Sequence, residues 1–363
     1  MRLLLIGPKP PPFHGTSIKF GAFCNFVRQQ LGASSVDLID TQTGDKAITP
    51  LFNHSSFTGY ARILIQSVFK GWKADVILIF GSQRFATVFG AIATCIFRLM
   101  GKRTYLSLFG GNFDLYLEGL PRPIYHVVQL LFSLFRGIIV ETHHLERTLA
   151  NLWPRKLHYV PNFRESPIAT NVRHTHDANA MRFLYVGVIR RQKGIGELLQ
   201  AFGHLTQMAE QGELKTSVWL DLYGPIYNNS RDYVDLCQAG YFSNIRFHGE
   251  VPYEQVMRAY SEADVFVFPS YWPSEGHSGA VIEALIHGIP VVAANWRGTS
   301  ELIRDGKNGL LCPPQDPQAL AGCMERLTRE ARLRQELAEG AKGSASDFNA
   351  ETVCATMLKI IVN

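Results

Sequence analysis

The chain has no run of 18 or more apolar residues. Its strongest candidate, residues 123–140, is interrupted by His126, Gln129 and Arg136, so no bilayer span is expected there. Cysteine is sparse. The six (24, 95, 237, 312, 323 and 354) form no C-x-x-C pair, which argues against a zinc site and a disulfide framework and predicts free thiols in a reducing compartment. Neither G-x-G-x-x-G nor G-x-x-x-x-G-K-[ST] occurs, so a dinucleotide oxidoreductase is disfavoured. There is no D-x-D, so no divalent metal is expected to bridge a diphosphate. Charged residues make up only 18% against 46% hydrophobic ones, the balance of a globular protein with ample core. In "MRLLLIGPKPPP" a single charge, Arg2, and a short apolar stretch precede the glycine and prolines, which predicts a first strand and not a signal peptide.

What is present falls into two halves. Residues 1–165 hold 18 Lys and Arg against 9 Asp and Glu, and residues 166–363 hold 18 against 22. A basic half suggests contact with something anionic, and phospholipid headgroups, lipid-linked phosphates and nucleic acid share that chemistry. Short apolar runs alternate with helical patterns throughout. Strands are predicted over 2–6, 36–39, 75–80, 104–108, 137–141 and 158–160. A second set follows over 183–186, 218–223, 245–247, 265–268, 290–293 and 310–312. Helices are predicted near 17–30, 60–72, 85–100, 121–136 and 143–152, then near 194–209, 231–239, 253–262, 279–287, 298–303 and 316–338. Continuous apolar strands between helices mean parallel sheets covered on both faces. The polar segment 166–180 reads as a linker between an N-terminal domain, 1–165, and a C-terminal one, 181–345. The last segment, 346–363, carries its own helix signal and is expected to pack back on the first domain. Ligands in doubly wound sheets bind beyond the strands' carboxyl ends, so a site is expected in a cleft between the two domains.

Two loops have phosphate-binding character. "GPKPPPFHGTSIKF" ends a strand at Gly7 and opens a helix at His14-Gly15-Thr16, where backbone amides and the helix dipole favour an anion. "FLYVGVIRRQKGIGELLQAF" ends a strand at Gly187 and follows it with Arg190, Arg191 and Lys193, a cation cluster suited to a diphosphate. The third candidate is "PSYWPSEGHSGAVIEALIHGIPVVAA". Glu275 lies on its loop, and Glu283 lies in the apolar helix that follows. An unpaired carboxylate is costly to bury in such a helix. Two carboxylates flanking the helix-start amides of residues 276–279 match a ligand with a phosphate between two sets of hydroxyls, as in a nucleotide sugar.

"PSEGHSGAVIEALIHGIPVV" resembles the E-x7-E segment of the family 4 retaining glycosyltransferases, which have the GT-B fold. "PPPFHG", "VPN" (160–162), "VGVIRRQKGIGELLQAF", "IRFHGEVPYEQVMRAYSEADVFVFPS" and "NWRGTSELIRDGKNGLLCPPQDPQAL" resemble its other segments, in the same order. The resemblance implies an α/β protein of two doubly wound Rossmann-like domains facing each other across a cleft. It implies that Glu275 bonds donor-sugar hydroxyls, Glu283 the ribose diol and Lys193 the diphosphate. The amides of Gly276, His277 and Ser278 would hold sugar and phosphate, Gly15 would lie near the diphosphate, and the base would lie against the loop from His248 to Val251. The chain departs from the family twice. Val188 stands where an arginine is usual, which leaves Arg190 or Arg191 to supply the charge. Phe109 stands where a histidine is usual, in "LFGGNFD", so that contact is either missing or replaced, with His14 and Asn112 as the candidates. Gly110, Gly111 and Asn112 are assigned to the acceptor side.

The resemblance further implies transfer with retention, by front-face attack in which the departing phosphate oxygen takes the acceptor's proton, from a nucleotide-sugar that serves as substrate, with a UDP-sugar ahead of a GDP-sugar. No cofactor or metal is expected, and protein cations would stabilise the leaving group. The acceptor would be a saccharide or a lipid-linked saccharide, in the synthesis of a bacterial surface glycan, and the transfer of hexosyl type. Apolar and basic residues mixed in 60–75 and 96–105 suit an anionic membrane surface, so a cytoplasmic enzyme, peripheral on the inner membrane face, is expected. Nucleic acid is not an expected partner. The alternatives are a GT-B sugar-nucleotide epimerase and a non-catalytic GT-B binding subunit.

Overall fold

The computed structural model describes residues 1–11, 15–42, 54–165, 180–227 and 243–363. The chain divides into two compact units, Met1–Glu165 with Asn349–Asn363, and Ser166–Phe348.

In the first unit the order is β1 (Leu3–Gly7), α1 (Gly15–Leu31), β2 (Val36–Asp40), α2 (His54–Lys73) and β3 (Val76–Gly81). A helical lead-in, α3 (Gln83–Phe85), passes through a π turn at Ala86–Gly90 into α4 (Ala91–Leu99). Then come β4 (Arg103–Leu108), α5 (Phe113–Glu118), α6 (Arg122–Phe132), β5 (Gly137–Val140), α7 (His143–Leu149) and β6 (Leu157–Tyr159). The sheet order is β2-β1-β3-β4-β5-β6, with every pair parallel. Strands β1, β3 and β5 are buried along their whole length, which is why they read as unbroken apolar runs.

The second unit contains β7 (Ala180–Val186), α8 (Ile195–Glu210), β8 (Ser217–Tyr223), β9 (Ile245–Gly249), α9 (Tyr253–Glu262), β10 (Val265–Phe268) and α10 (Gly279–Ile286). It continues with β11 (Val291–Ala294), α11 (Thr299–Leu302), β12 (Gly309–Cys312), α12 (Pro317–Arg329) and α13 (Ala331–Ser344). Its parallel order is β12-β11-β10-β7-β8-β9. The order reverses at β7/β10 here and at β1/β3 in the first unit, so each unit has one switch point. A ligand is best received beyond the carboxyl ends of the strands at such a point.

The final helix, α14 (Ala350–Val362), belongs to the first unit. Val353, Cys354, Met357 and Ile361 join Phe20, Phe23 and Val27 of α1 in the core on one sheet face. Ile63, Phe97, Val128, Phe132 and Trp153 fill the other. Burial of each such side chain contributes about 1.5–3 kcal/mol.

All twelve expected strands are present. The helix expected over 316–338 is instead two helices that part at Glu330 (φ −99°, ψ 78°). The reason is packing: α12 lies on α8 whereas α13 lies on α10, so one straight rod cannot serve both. The guanidinium of Arg334 bonds the freed Leu327 carbonyl at 2.6 Å. Helix α5 was not anticipated, because six residues are too few to display a helical period. The linker expected over 166–180, apart from Ala180, and the helix near 231–239 lie outside the described residues.

Candidate functional site

The second unit's switch point is built from the loops after β7 and β10. Arg191–Lys193 form one 3-10 turn, closed by Gly194 at φ +76°. A Cβ on Gly194 would lie 2.3 Å from the Pro269 carbonyl oxygen, so only glycine lets this turn sit against the loop that leaves β10. Tyr271 N–H bonds Gln192 O at 2.9 Å and ties the loops together. The turn delivers Lys193 Nζ to Glu275 Oε2 at 2.7 Å, and Ser270 Oγ donates to the same oxygen at 2.5 Å. The Arg190 guanidinium lies 4.1 Å from the Trp272 ring centroid and 4.8 Å from that of Tyr227, with Nε bonded to Gln192 Oε1 at 3.0 Å. Arg191 is exposed. Of the two arginines left open by Val188, Arg190 is therefore the one held in the loop cluster. The Val188 carbonyl accepts from the buried Tyr185 hydroxyl at 3.0 Å, and that phenol is pushed well above its usual range by burial and then by the Glu275 carboxylate.

Glu275 and Glu283 are each only 7% exposed. Burying Glu275 without its lysine would cost several kcal/mol, and the ion pair offsets that cost. Glu283 sits in the middle of α10, where Tyr253 Oη donates to Oε1 at 3.3 Å. Ser278 occupies the α10 N-cap position without a side-chain cap. The first-turn amides, from Gly279 to Val281, have no acceptor within the helix by construction. Gly276 is held against Gly298, where a Cβ would come within 2.5 Å of the Gly276 carbonyl. His277 is buried, and its Nε2 lies 3.1 Å from Glu301 Oε2, so its side chain ties the loop to α11. Trp296 Nε1 bonds Trp272 O at 2.9 Å, which brings in the loop after β11.

His248 is the last residue but one of β9, two strands or about 10 Å from β7 at normal strand spacing. Its ring stacks on Tyr223 with centroids 4.2 Å apart, and Nε2 is 2.6 Å from Asp221 Oδ1. Burial, then Asp221 and Glu262, push the Tyr223 phenol up to about 12. Val251, half-buried, follows on the adjoining loop.

In the first unit, Gly15 begins α1, and the nearest group to a Cβ placed there is Arg164 Nη2 at 3.6 Å. Arg164 is buried and bonds Asn162 Oδ1 and Phe163 O through Nη1. His14 lies outside the described residues. Gly110 adopts φ +88°, and its amide points to Glu141 Oε2 at 3.4 Å. The other Glu141 oxygen meets Lys19 Nζ at 2.7 Å, with both side chains almost fully buried. Phe109 packs 5.9 Å from Phe80, centroid to centroid, under the same ammonium. Gly111 is buried, and Asn112 occupies the N-cap position of α5. His144 Nε2 is 2.9 Å from the buried Asp114.

Sequence reasoning missed Ser270, Trp272, Tyr253, Arg164 and the Lys19–Glu141 pair. The signal for that pair was present. Lys19 stands in the apolar stretch "SIKFGAF" and Glu141 directly after "GIIV", and two lone charges in buried settings each call for a partner. Among the described residues no cluster of three His, Cys, Asp or Glu could hold a metal ion, and no helix is long and apolar enough to cross a membrane.

Comparison with known proteins agrees with this architecture. Residues 170–344 match the family model described as Glycosyl transferases group 1. A D-inositol 3-phosphate glycosyltransferase of Paenarthrobacter aurescens is 27% identical over 202 residues, 55% of this chain and 48% of that protein. The amylovoran biosynthesis glycosyltransferase AmsK of Erwinia amylovora is 31% identical over 153 residues, 41% of this chain and 36% of that protein. The matched stretches thus span less than half of these relatives' own length. Among solved structures, Anabaena HepE in complex with UDP has a TM-score of 0.71 at 20% identity over 100% of both chains, and HepE is also known with UDP-glucose. Residues 170–344 are therefore similar in sequence to the group 1 glycosyl transferases, and the chain has the GT-B fold.

Proposed function

We propose that this protein is a retaining glycosyltransferase that moves a hexose from a nucleotide-sugar to a saccharide acceptor. The observation that carries the reading is the Lys193–Glu275 pair at the second unit's switch point, with Arg190 beside it and the start of α10 just beyond. In this reading the donor's diphosphate draws Lys193 away from Glu275, and the released carboxylate accepts hydrogen bonds from the sugar. Glu283 takes the ribose diol. Arg190 and the amides of Gly276, His277 and Ser278 share the phosphate charge. The base lies by His248 and Val251, and Gly15, Gly110, Gly111 and Asn112 serve the diphosphate and the acceptor.

The acceptor hydroxyl attacks the anomeric carbon on the face from which the diphosphate departs. A C–O bond forms as the bond from the anomeric carbon to the phosphate oxygen breaks. The proton passes to that departing oxygen, so the configuration is retained and no separate base is required. Lysine, arginine and fixed amides stabilise the negative charge that grows on the leaving group, without a metal. The UDP and UDP-glucose complexes of HepE support a UDP-sugar donor, and the name of AmsK supports a role in polysaccharide biosynthesis. The basic first half of the chain supports a lipid-linked acceptor met at the cytoplasmic membrane face.

The test is a panel of UDP-, GDP- and ADP-sugars, scored by melting temperature and then by turnover with and without a polyprenyl-linked saccharide. A native-state ligand raises the melting temperature by mass action. Stabilisation by one nucleotide-sugar and formation of a product with retained anomeric configuration are expected. Failure of every donor to stabilise or turn over removes the reading.

A further inference from the structure

The first unit has a second charged site at the opposite edge of its sheet. A cavity of about 710 Å³ opens where β4, β5 and β6 begin, at their amino ends. Arg98, Arg136, Arg155, Lys156 and Lys359 line it, and among the described residues no Asp or Glu side chain does. The site is built and not merely a scatter of surface cations. Lys156 Nζ is anchored on the Ser133 and Phe135 carbonyls at the end of α6. Burial, then Arg98 and Arg136, hold its ammonium below the usual range, and burial does the same to His158.

Beside the cavity the helices α2, α4 and α6 lie side by side on one sheet face. Each turns an apolar stripe outward. Ile65, Phe69 and Trp72 follow helical spacing on α2, Val88, Ile92 and Leu99 on the π turn and α4, and Ile124, Val127 and Leu130 on α6. At the cavity end exposure is highest: Phe69 75%, Trp72 73%, Leu99 89% and Leu130 67%. A helix that covers a sheet normally shows water a polar face. Three neighbouring helices that break this rule at one edge make a patch of the kind that marks an interaction surface. The two features adjoin. Arg98 lines the cavity and Leu99 is its chain neighbour, Leu130 is one turn from the lining Ser133 and Leu134, and Lys102 Nζ bonds Trp72 O at 2.8 Å.

We infer that this edge docks on an anionic bilayer, with the ends of α2, α4 and α6 entering the interface and the cavity receiving a lipid headgroup phosphate. The charge decides the occupant. An apolar patch alone would suit a protein partner, but an apolar patch continuous with five cations and no acidic side chain complements a surface of phosphodiesters above acyl chains. The inference rests on the membrane reading above and deepens it, since it names the face and the residues. It also sets the carboxyl edge of this sheet, with Gly110 and Asn112, one sheet width from the lipid.

The test is co-sedimentation with vesicles of phosphatidylcholine alone or mixed with phosphatidylglycerol, alongside donor turnover in vesicle-free buffer. Wild type is expected on the mixed vesicles. The double variant R136Q/K359Q should partition about 30-fold more weakly, from the loss of two surface cations. Trp72→Ser with Leu99→Ser should lose the binding that survives high salt, where surface charge is screened. Both variants should melt and turn over donor as wild type does, because none of these residues lies in the donor site. Equal partition of R136Q/K359Q and wild type would overturn the inference. So would stabilisation of wild type but not R136Q/K359Q by inorganic phosphate with no vesicle binding, which would assign the cavity to a free anion. Wild type that binds vesicles but turns over no donor leaves this inference standing and removes the proposed reaction instead.

Discussion

Gly194→Ala tests whether the two switch-point loops work as one device. Gly194 has φ +76°, where an L side chain costs about 1–2 kcal/mol. The added methyl would also lie 2.3 Å from Pro269 O and 2.8 Å from Pro269 C and Cγ, against ordinary contact at 3.4–4 Å. The loops must therefore part by roughly 1 Å, and overpacking of this kind costs about 1–3 kcal/mol. The sum, about 2–5 kcal/mol, should lower the melting temperature by roughly 5–15 °C in a unit of this size. The same shift moves Lys193 relative to Glu275. Displacements near 1 Å cost about 100-fold in turnover. Gly212→Ala is the matched control. Its φ is +75°, and nothing lies within 4 Å of a Cβ placed there, so it should suffer the backbone cost alone. Calorimetry and donor-turnover kinetics on the two variants give the comparison. Equal melting temperatures and equal turnover would refute the idea that the Lys193 turn is seated on the Pro269 loop.

Lys193→Met should reduce donor turnover about 100- to 1,000-fold, measured at saturating donor, because it removes a preorganised charge at the leaving group. Lys19→Met should destabilise by about 3–5 kcal/mol in urea unfolding, since it strands Glu141 in the core. Adding Glu141→Gln should recover much of that loss, and a double variant no better than the single would contradict the pairing. Alkaline stability should also fall. Burial raises the Cys24 and Cys312 thiols from 9.0 to about 12 in the folded chain, so the unfolded chain releases their protons first. Stability is then intact below about pH 9 and declines above it by about 1.4 kcal/mol per pH unit for each thiol. Urea midpoints from pH 8 to pH 10 should show this slope, and Cys24→Ala should reduce it.

The strands were legible because a parallel strand covered on both faces must be apolar throughout, and "LLLI", "VILIF" and "GIIV" announce that locally. The break at Glu330 was not, because it depends on two different partners, α8 and α10, that no periodicity reveals. At the site, Glu275 and Lys193 were singled out by residue type and by family resemblance, yet they are 82 positions apart and only folding shows that they touch. The choice of Arg190 over Arg191 turns on packing that no local pattern displays: Arg190 lies over the Trp272 and Tyr227 rings, whereas Arg191 is exposed. His277 was named among the amide donors, whereas the bond from its ring to Glu301 emerges only in three dimensions. Lys19 and Glu141 were conspicuous as solitary charges, but a solitary charge does not name its partner.

The central claim is that Glu275 leaves Lys193 to grip the sugar of a nucleotide-sugar. Titration calorimetry of UDP and of the UDP-sugar chosen by the panel, on wild type and Glu275→Ala, tests it most directly. Wild type should bind the UDP-sugar more tightly than UDP. Glu275→Ala should bind UDP at least as well, with Lys193 released to the diphosphate, and should lose about 10- to 100-fold of the preference for the sugar, the worth of a hydrogen bond to a charged group. An unchanged preference for the UDP-sugar in Glu275→Ala would contradict the account.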